Sequence, residues 1–243
     1  MNYMNKRNNP SIDQGHALFS PSMKLADLLE ANYKLIWILS RMEMPLGFGD
    51  VTVEEACEKQ GVDVDTFLLL CDVYTFDEYR PSAERLHNAN LKDIITYLHL
   101  SHKFYLENSL RKLSDSLERV IEPCAEQQKK VIWKFFADYQ AELENHFKFE
   151  EEKVFPYANK TLEGIKPDNL MSISQFEENH SNIEEKIGDL KNIVMKYLPQ
   201  ASKNSLSYDV LIDIFALEQD LRKHTSIEDD ILVPIVRRLE GNE

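Results

Sequence analysis

The chain has 243 residues, of which 43% are hydrophobic, and its 28 basic and 42 acidic side chains give a formal net charge of −14. This composition is typical of a globular protein with a buried core, and the negative charge disfavours direct binding to nucleic acid. No apolar stretch approaches the roughly 18 residues of a membrane span, and the polar first 20 residues lack a signal-peptide core. We therefore expect a cytoplasmic protein with neither nucleic acid nor membrane as a partner.

The cysteine and glycine contents narrow the fold class. The three cysteines, Cys57, Cys71 and Cys124, form no CxxC pair and support neither a disulfide framework nor a thiolate zinc site. Only 7 glycines are present, and runs of β-branched residues are few, whereas good helix formers recur throughout. The composition predicts a nearly all-α protein in a reducing compartment.

The first third of the chain contains short apolar groups. Residues 1–22 lack periodicity and are predicted to form a flexible tail. From residue 23, short apolar runs are separated by a turn at 47–50 and by Gly61, which predicts a small domain of short helices. Thr52, followed by Glu55, is a capping-box signature. Pro81 marks the expected boundary, so this domain is assigned to residues 23–82.

Longer helical patterns follow Pro81, at about 84–121, 126–160, 168–198 and 208–240. The connections between them are short and contain proline or glycine. Because short connections favour antiparallel neighbours, we predict an up-down-up-down four-helix bundle over residues 83–243. A coiled-coil rod is the structural alternative, and loop breakers at this spacing disfavour it.

The second and fourth long helices share a repeated motif. In each, a glutamate follows a histidine by four residues, two more acids come next, and a proline stands ten residues after the histidine. A spacing of four places histidine and glutamate on one helix face, and we expect each proline to kink or end its helix. The repeat comprises His146, Glu150 and Pro156, and then His224, Glu228 and Pro234.

Both His–Glu pairs fall on the apolar stripe of their helices. A buried carboxylate costs several kcal/mol unless it is paired or bound to a metal. The first and third long helices each add one histidine on an apolar face, so every helix points a histidine inward. The six side chains predicted to converge on a metal are His102, His146, Glu150, His180, His224 and Glu228.

Each of these residues also has a simpler interpretation. A lone histidine on an apolar stripe is usually a hydrogen-bonded core residue, and a His-x-x-x-Glu pair on a charged helix is usually a solvated face. The six residues together indicate a metal site more specifically than any one of them does alone. We expect His99 to support a ligand or to lie on the surface. The acids predicted to face solvent are Glu151, Glu152, Asp229 and Asp230.

Imidazoles and carboxylates without thiolates suit iron, manganese or zinc rather than copper(I). A single zinc ion would use four ligands and leave two buried. A dinuclear site therefore explains more of the sequence, since two carboxylates suit a bridged metal pair. The pattern assigns no catalytic residue.

From about residue 87 to 240 the chain resembles the hemerythrin-like, HHE cation-binding family of four-helix bundles, which hold a non-haem di-iron centre. The six candidate ligands match successive ligand positions of that family, and the two proline endings match as well. The resemblance implies two iron ions that Glu150 and Glu228 can bridge, with O2 or NO as small ligands. A further histidine of respiratory hemerythrins is absent at the matching position, which points to the bacterial branch.

From about residue 23 the chain is also similar to repair-of-iron-centres proteins, which join a small ScdA-type N-terminal domain to this bundle. The segments 41–50, 52–57 and 61–65 follow the order of that domain, but Gly47 and Phe48 stand where the family has two adjacent cysteines. The resemblance implies repair of damaged iron–sulfur proteins under nitrosative or oxidative stress. The residue spacing indicates only the metal site.

Two alternatives to repair remain open at the level of sequence. One is reversible capture or sensing of O2 or NO, which the missing cysteines favour. The other is a structural or storage metal site with no reaction. In either case the N-terminal domain could dock a partner or form a homodimer, and we expect it to contain no metal or redox site of its own.

Overall fold

The structure is a computed structural model that describes residues 19–165, Ile173, Phe176, 183–198 and 204–241. Over this part of the chain the fold is all-α, and its β-structure is limited to one isolated bridge between Lys24 and Thr52. The predicted fold class is confirmed. Among the described helices, none combines the length and the apolar character that a bilayer crossing requires.

The N-terminal segment folds into short helices, as predicted. Thr52 caps one of them by accepting the Glu55 amide hydrogen, and Glu55 accepts that of Thr52, so the capping box is confirmed. Gly61 ends this helix with a φ of 71°, in the left-handed region that glycine adopts without strain. The helices are α1 (Leu25–Ala31), α2 (Ile36–Arg41), α3 (Val53–Gln60), α4 (Val64–Thr75) and α5 (Ala83–Asn88).

The bundle consists of long helices, three of which contain a π-helical turn. The π-helical turns are Tyr105–Ser109, Glu150–Val154 and Glu228–Leu232, and each joins two α-helical stretches without a break. The antiparallel bundle is confirmed, with its third helix described from Ile183 onward. The α-helical stretches are α6 (Leu91–Phe104), α7 (Leu110–Ile121), α8 (Glu126–Phe149), α9 (Phe155–Leu162), α10 (Ile183–Tyr197), α11 (Asn204–Ile227) and α12 (Val233–Leu239).

We expected the two prolines of the repeat to kink or end their helices, and neither proline ends its helix. Pro156 and Pro234 are each the second residue of an α-helical stretch that continues directly from a π-helical turn. Proline lacks an amide hydrogen, and its ring crowds the carbonyl four residues earlier. The wider π-helical turn before each proline accommodates both effects, so the helix continues past it.

The hydrophobic core forms two clusters. One combines N-terminal residues such as Leu28 and Phe67 with bundle residues that include Val154 and Ile231. The other fills the remaining length of the bundle. The short N-terminal helices therefore share a core with the end of the bundle that carries Pro156 and Pro234.

A buried polar network also joins the N-terminal helices to α11. Arg41 of α2 forms an ion pair with Asp220, and both residues are almost fully buried. The Arg41 Nη1 atom donates to Asp220 Oδ1 at 3.0 Å and to the Tyr74 hydroxyl at 2.6 Å. Tyr97 donates to the same Tyr74 hydroxyl at 2.8 Å. Because Asp220 lies one helical turn before His224, this network anchors the helix that carries a candidate ligand.

Candidate metal centre

Four of the predicted ligands form one tight cluster. All four residues are buried, and one potential ligand atom from each lies within 4.8 Å of those of the other three. The carboxylates of Glu150 and Glu228 have an exposed fraction of zero. The cluster consists of His102, Glu150, His224 and Glu228.

His146 adjoins this cluster through Glu150. Its Nε2 atom lies 2.8 Å from Glu150 Oε1, and its side chain is 13% exposed. It stands one helical turn before Glu150, as the spacing of four predicts. His180, the sixth predicted ligand, lies outside the described residues. The structure thus brings together the five predicted ligands that it describes.

The histidine rings turn the same nitrogen towards the cluster. His102 Nε2 lies 3.0 Å from Glu150 Oε2 and 3.1 Å from His224 Nε2. His224 Nε2 lies 3.1 Å from Glu228 Oε1. Because neutral imidazole nitrogens and carboxylate oxygens are ligands for iron, manganese and zinc, this donor set fits a metal cation. A buried His–Glu ion-pair cluster is the competing interpretation.

The two core clusters meet at these ligands. Phe147 belongs to one cluster and Val154 to the other, and Glu150 lies between them. Likewise Leu221 and Ile231 flank the second His–Glu pair from opposite clusters. The polar centre is therefore enclosed by apolar packing on both sides, which raises the cost of an uncompensated charge there.

Aromatic rings fix the planes of the imidazoles. Phe147 stacks on His102 with centroids 4.1 Å apart, and Phe155 stacks at 5.4 Å. The Tyr105 ring meets His224 edge-on at 5.6 Å. Sequence reasoning did not assign these aromatic residues to the site. The signal was available for Phe147 and Phe155, since both lie within the repeated motif.

The π-helical turns place the carboxylates. Glu150 and Glu228 are the first residues of their turns, and the amide of the residue five positions on donates to each of their carbonyls. Turns of this kind are rare and frequently occur at functional sites. The third turn, Tyr105–Ser109, begins three residues after His102. No proline follows it closely, so the sequence offered no signal for it.

Glu151 is only partly exposed and contacts two histidines, whereas it was predicted to face solvent. Its Oε1 atom lies 2.7 Å from His102 Nδ1 and 2.9 Å from His99 Nδ1. The cause is the packing of α6, whose His99 and His102 lie nearly one turn apart on the face towards Glu151. Glu152 is exposed as predicted, whereas Asp230 is half-buried and pairs with Arg80 at 3.1 Å. Asp229 is also half-buried.

The carboxylates govern the protonation of His102. Burial lowers its pKa, but hydrogen bonds to Glu150 and Glu151 outweigh that effect and raise the pKa to about 9. The pKa of Glu151 is lowered in turn: burial raises it, and the hydrogen bonds from His102 and His99 more than offset this. The site therefore stabilises positive charge at its centre.

Comparison with known proteins supports the assignment of the bundle. A search of curated proteins finds no significant match to the chain. The model of the hemerythrin HHE cation binding domain matches residues 93–236, more than half of the chain. This match includes all six predicted ligands, but it stops short of the N-terminal helices and does not bear on the resemblance to repair proteins. The chain belongs to the family of hemerythrin HHE cation-binding domains.

Proposed function

We propose that the protein is a non-haem di-iron protein whose centre binds O2 or NO. The burial of two carboxylates against the Nε2 atoms of three histidines carries this proposal. Such a donor set without thiolates suits iron. The proposed ligands are His102, His146, Glu150, His180, His224 and Glu228.

The number of donors supports two metals rather than one. A single four-coordinate ion would leave one of the five described ligands unused, and His180 would add a sixth donor. Glu150 contacts two histidines from different helices, His102 and His146. This central position suits a carboxylate that bridges a pair of ions.

The chain's own residues would hold and shield the centre. The histidines supply neutral nitrogen ligands, Glu150 and Glu228 supply compensating negative charge, and Phe147 and Tyr105 limit access of water. An iron pair bound there would supply coordination positions for a small ligand.

The test is the reaction of the reduced, iron-loaded protein with NO in the absence of oxygen, followed in the visible spectrum. We expect a spectral change that His102→Ala abolishes. His87, an exposed histidine of α5, provides the matched control, and His87→Ala should behave as wild type. A wild-type protein that binds iron but changes with neither NO nor O2 would favour a storage or structural site.

Repair of damaged iron–sulfur proteins is a second candidate. The packing of the N-terminal helices against the ligand-bearing part of the bundle favours it, because a partner that docks there would lie near the centre. The cysteine positions argue against a repair function that uses thiols. Cys57 and Cys71 are buried, and Gly47 has a φ of 82°, a conformation that strains a cysteine.

Recovery of a nitrosylated iron–sulfur enzyme distinguishes the two candidates. The wild-type protein is compared with a variant that carries Gly47→Cys and Phe48→Cys. If the wild type restores activity fully, the binding-only proposal is wrong. If only the variant does so, repair is not the function of this chain.

A further inference from the structure

Glu151 links the candidate centre to the protein surface. Its carboxylate lies between the two histidines of α6 and contacts the Nδ1 atom of each. His102 is almost fully buried, the side chain of Glu151 is 32% exposed and that of His99 is 56% exposed. The three side chains thus form a continuous polar path from the buried site outward.

The two nitrogens of His102 face different surroundings. Nε2 points inward, to Glu150 and His224, whereas Nδ1 points outward, to Glu151. A carboxylate that accepts the Nδ1 hydrogen keeps the neutral ring in the tautomer whose Nε2 lone pair is available to a metal. The contact also restricts rotation of the ring.

His224 provides a contrast within the same site. Its Nδ1 atom is buried and has no hydrogen-bond partner among the described residues. Its ring is instead held by aromatic contacts, including the edge of Tyr105. The carboxylate support seen at His102 therefore has no counterpart at His224 among the described residues.

We propose that Glu151 is a positioning residue of the metal centre. It orients His102 so that Nε2 faces the metal, and His99 holds the Glu151 carboxylate in place from the surface. This inference rests on the proposed metal centre, and it adds two residues that act without touching the metal.

A purely structural role for Glu151 would give a different experimental result. If Glu151 served only to tie α6 to the π-helical turn that follows α8, its removal would lower the stability of the metal-free protein and leave the metal affinity unchanged. If it positions a ligand, the affinity falls beyond any change in stability. Loss of such a supporting contact typically weakens metal binding about 10- to 100-fold.

The experiment measures Fe²⁺ affinity of the full chain by competition with a chelator without oxygen, together with thermal unfolding of the metal-free protein. Glu151→Ala should weaken binding about 10- to 100-fold. Glu151→Gln, which retains an acceptor oxygen, should recover much of the loss, and His99→Ala should have a smaller effect than Glu151→Ala. Glu152→Ala is the matched control, since Glu152 is exposed, and should bind as wild type.

Nitrogen-15 NMR of the zinc-loaded protein gives an independent readout. We expect a slowly exchanging His102 Nδ1 hydrogen in the wild type and its loss in Glu151→Ala. Wild-type affinity in Glu151→Ala, with or without lower stability, would overturn this inference alone. A wild-type chain that binds no metal would overturn both this inference and the proposed function.

Discussion

Glu150 and Glu228 occupy equivalent positions: each is the first residue of a π-helical turn, and each lies four residues after a histidine whose Nε2 it contacts. The two halves of the sequence repeat thus build the same local backbone around the same pair of side chains. The offset of ten residues from histidine to proline fits this arrangement, because each proline is the second residue after the π-helical turn. The centre consists of two matched half-sites.

Removal of the metal should lower the stability of the protein. A ligand that binds only the folded state raises the free energy of unfolding, by about 2.7 kcal/mol when its free concentration is 100 times its Kd. Thermal unfolding of metal-loaded and chelator-treated protein measures the effect. Superimposable melting curves for the two forms would contradict the prediction.

The Arg41–Asp220 pair should be essential for stability. Asp220→Ala leaves the Arg41 guanidinium buried without its counter-ion, and breaking a buried pair in this way typically costs about 3–5 kcal/mol. Urea unfolding measures the loss. Asp138→Ala is the control, because it removes an exposed pair with Lys134, which is worth about 1 kcal/mol at most. Equal effects of the two substitutions would show that the network is not a major support.

Asp72 should make stability depend on pH. Burial raises its pKa from 3.8 to about 6, and Arg85 lowers it only in part. The folded state therefore holds the Asp72 proton more tightly than the unfolded state does. As a result, the contribution of Asp72 to stability is greatest below about pH 4 and is lost as the pH rises through about 6. The stability of Asp72→Asn relative to wild type should therefore increase from pH 4 to pH 7. Urea unfolding at both pH values tests this, and a constant difference would refute it.

The thiols of the N-terminal helices should be unreactive. Burial is the main reason that the pKa of Cys57 is raised to about 12, and burial also raises the pKa of Cys71. Since the thiolate is the reactive form, neither residue should react with Ellman's reagent in the folded protein at pH 8. Rapid reaction under native conditions would reopen a redox role for this segment.

The helices and the inward direction of the described candidate ligands could be predicted from the sequence because both follow from helical periodicity. A spacing of four places His224 and Glu228 on one face regardless of the surroundings. The apolar neighbours of His102 likewise indicate its burial. These inferences need only the geometry of a single helix.

Other features depend on contacts between helices, which periodicity does not encode. Glu151 is one residue beyond a ligand and was expected to face solvent, but the neighbouring α6 presents two histidines to it. The buried partners Arg41 and Asp220 are 179 positions apart in the sequence, and no sequence pattern links them. The π-helical turn that begins at Tyr105 lacks a nearby proline and could not be foreseen.

Metal content measures the central claim most directly. Protein purified without oxygen is subjected to elemental analysis, alongside a double variant with Glu150→Ala and Glu228→Ala and a control with Glu152→Ala. Since one four-coordinate ion would not use the full donor set, we predict about two metal ions per chain, chiefly iron, in the wild type and the control, and a loss of both in the double variant. Wild-type protein without bound metal, or a double variant that retains the full amount, would contradict the account.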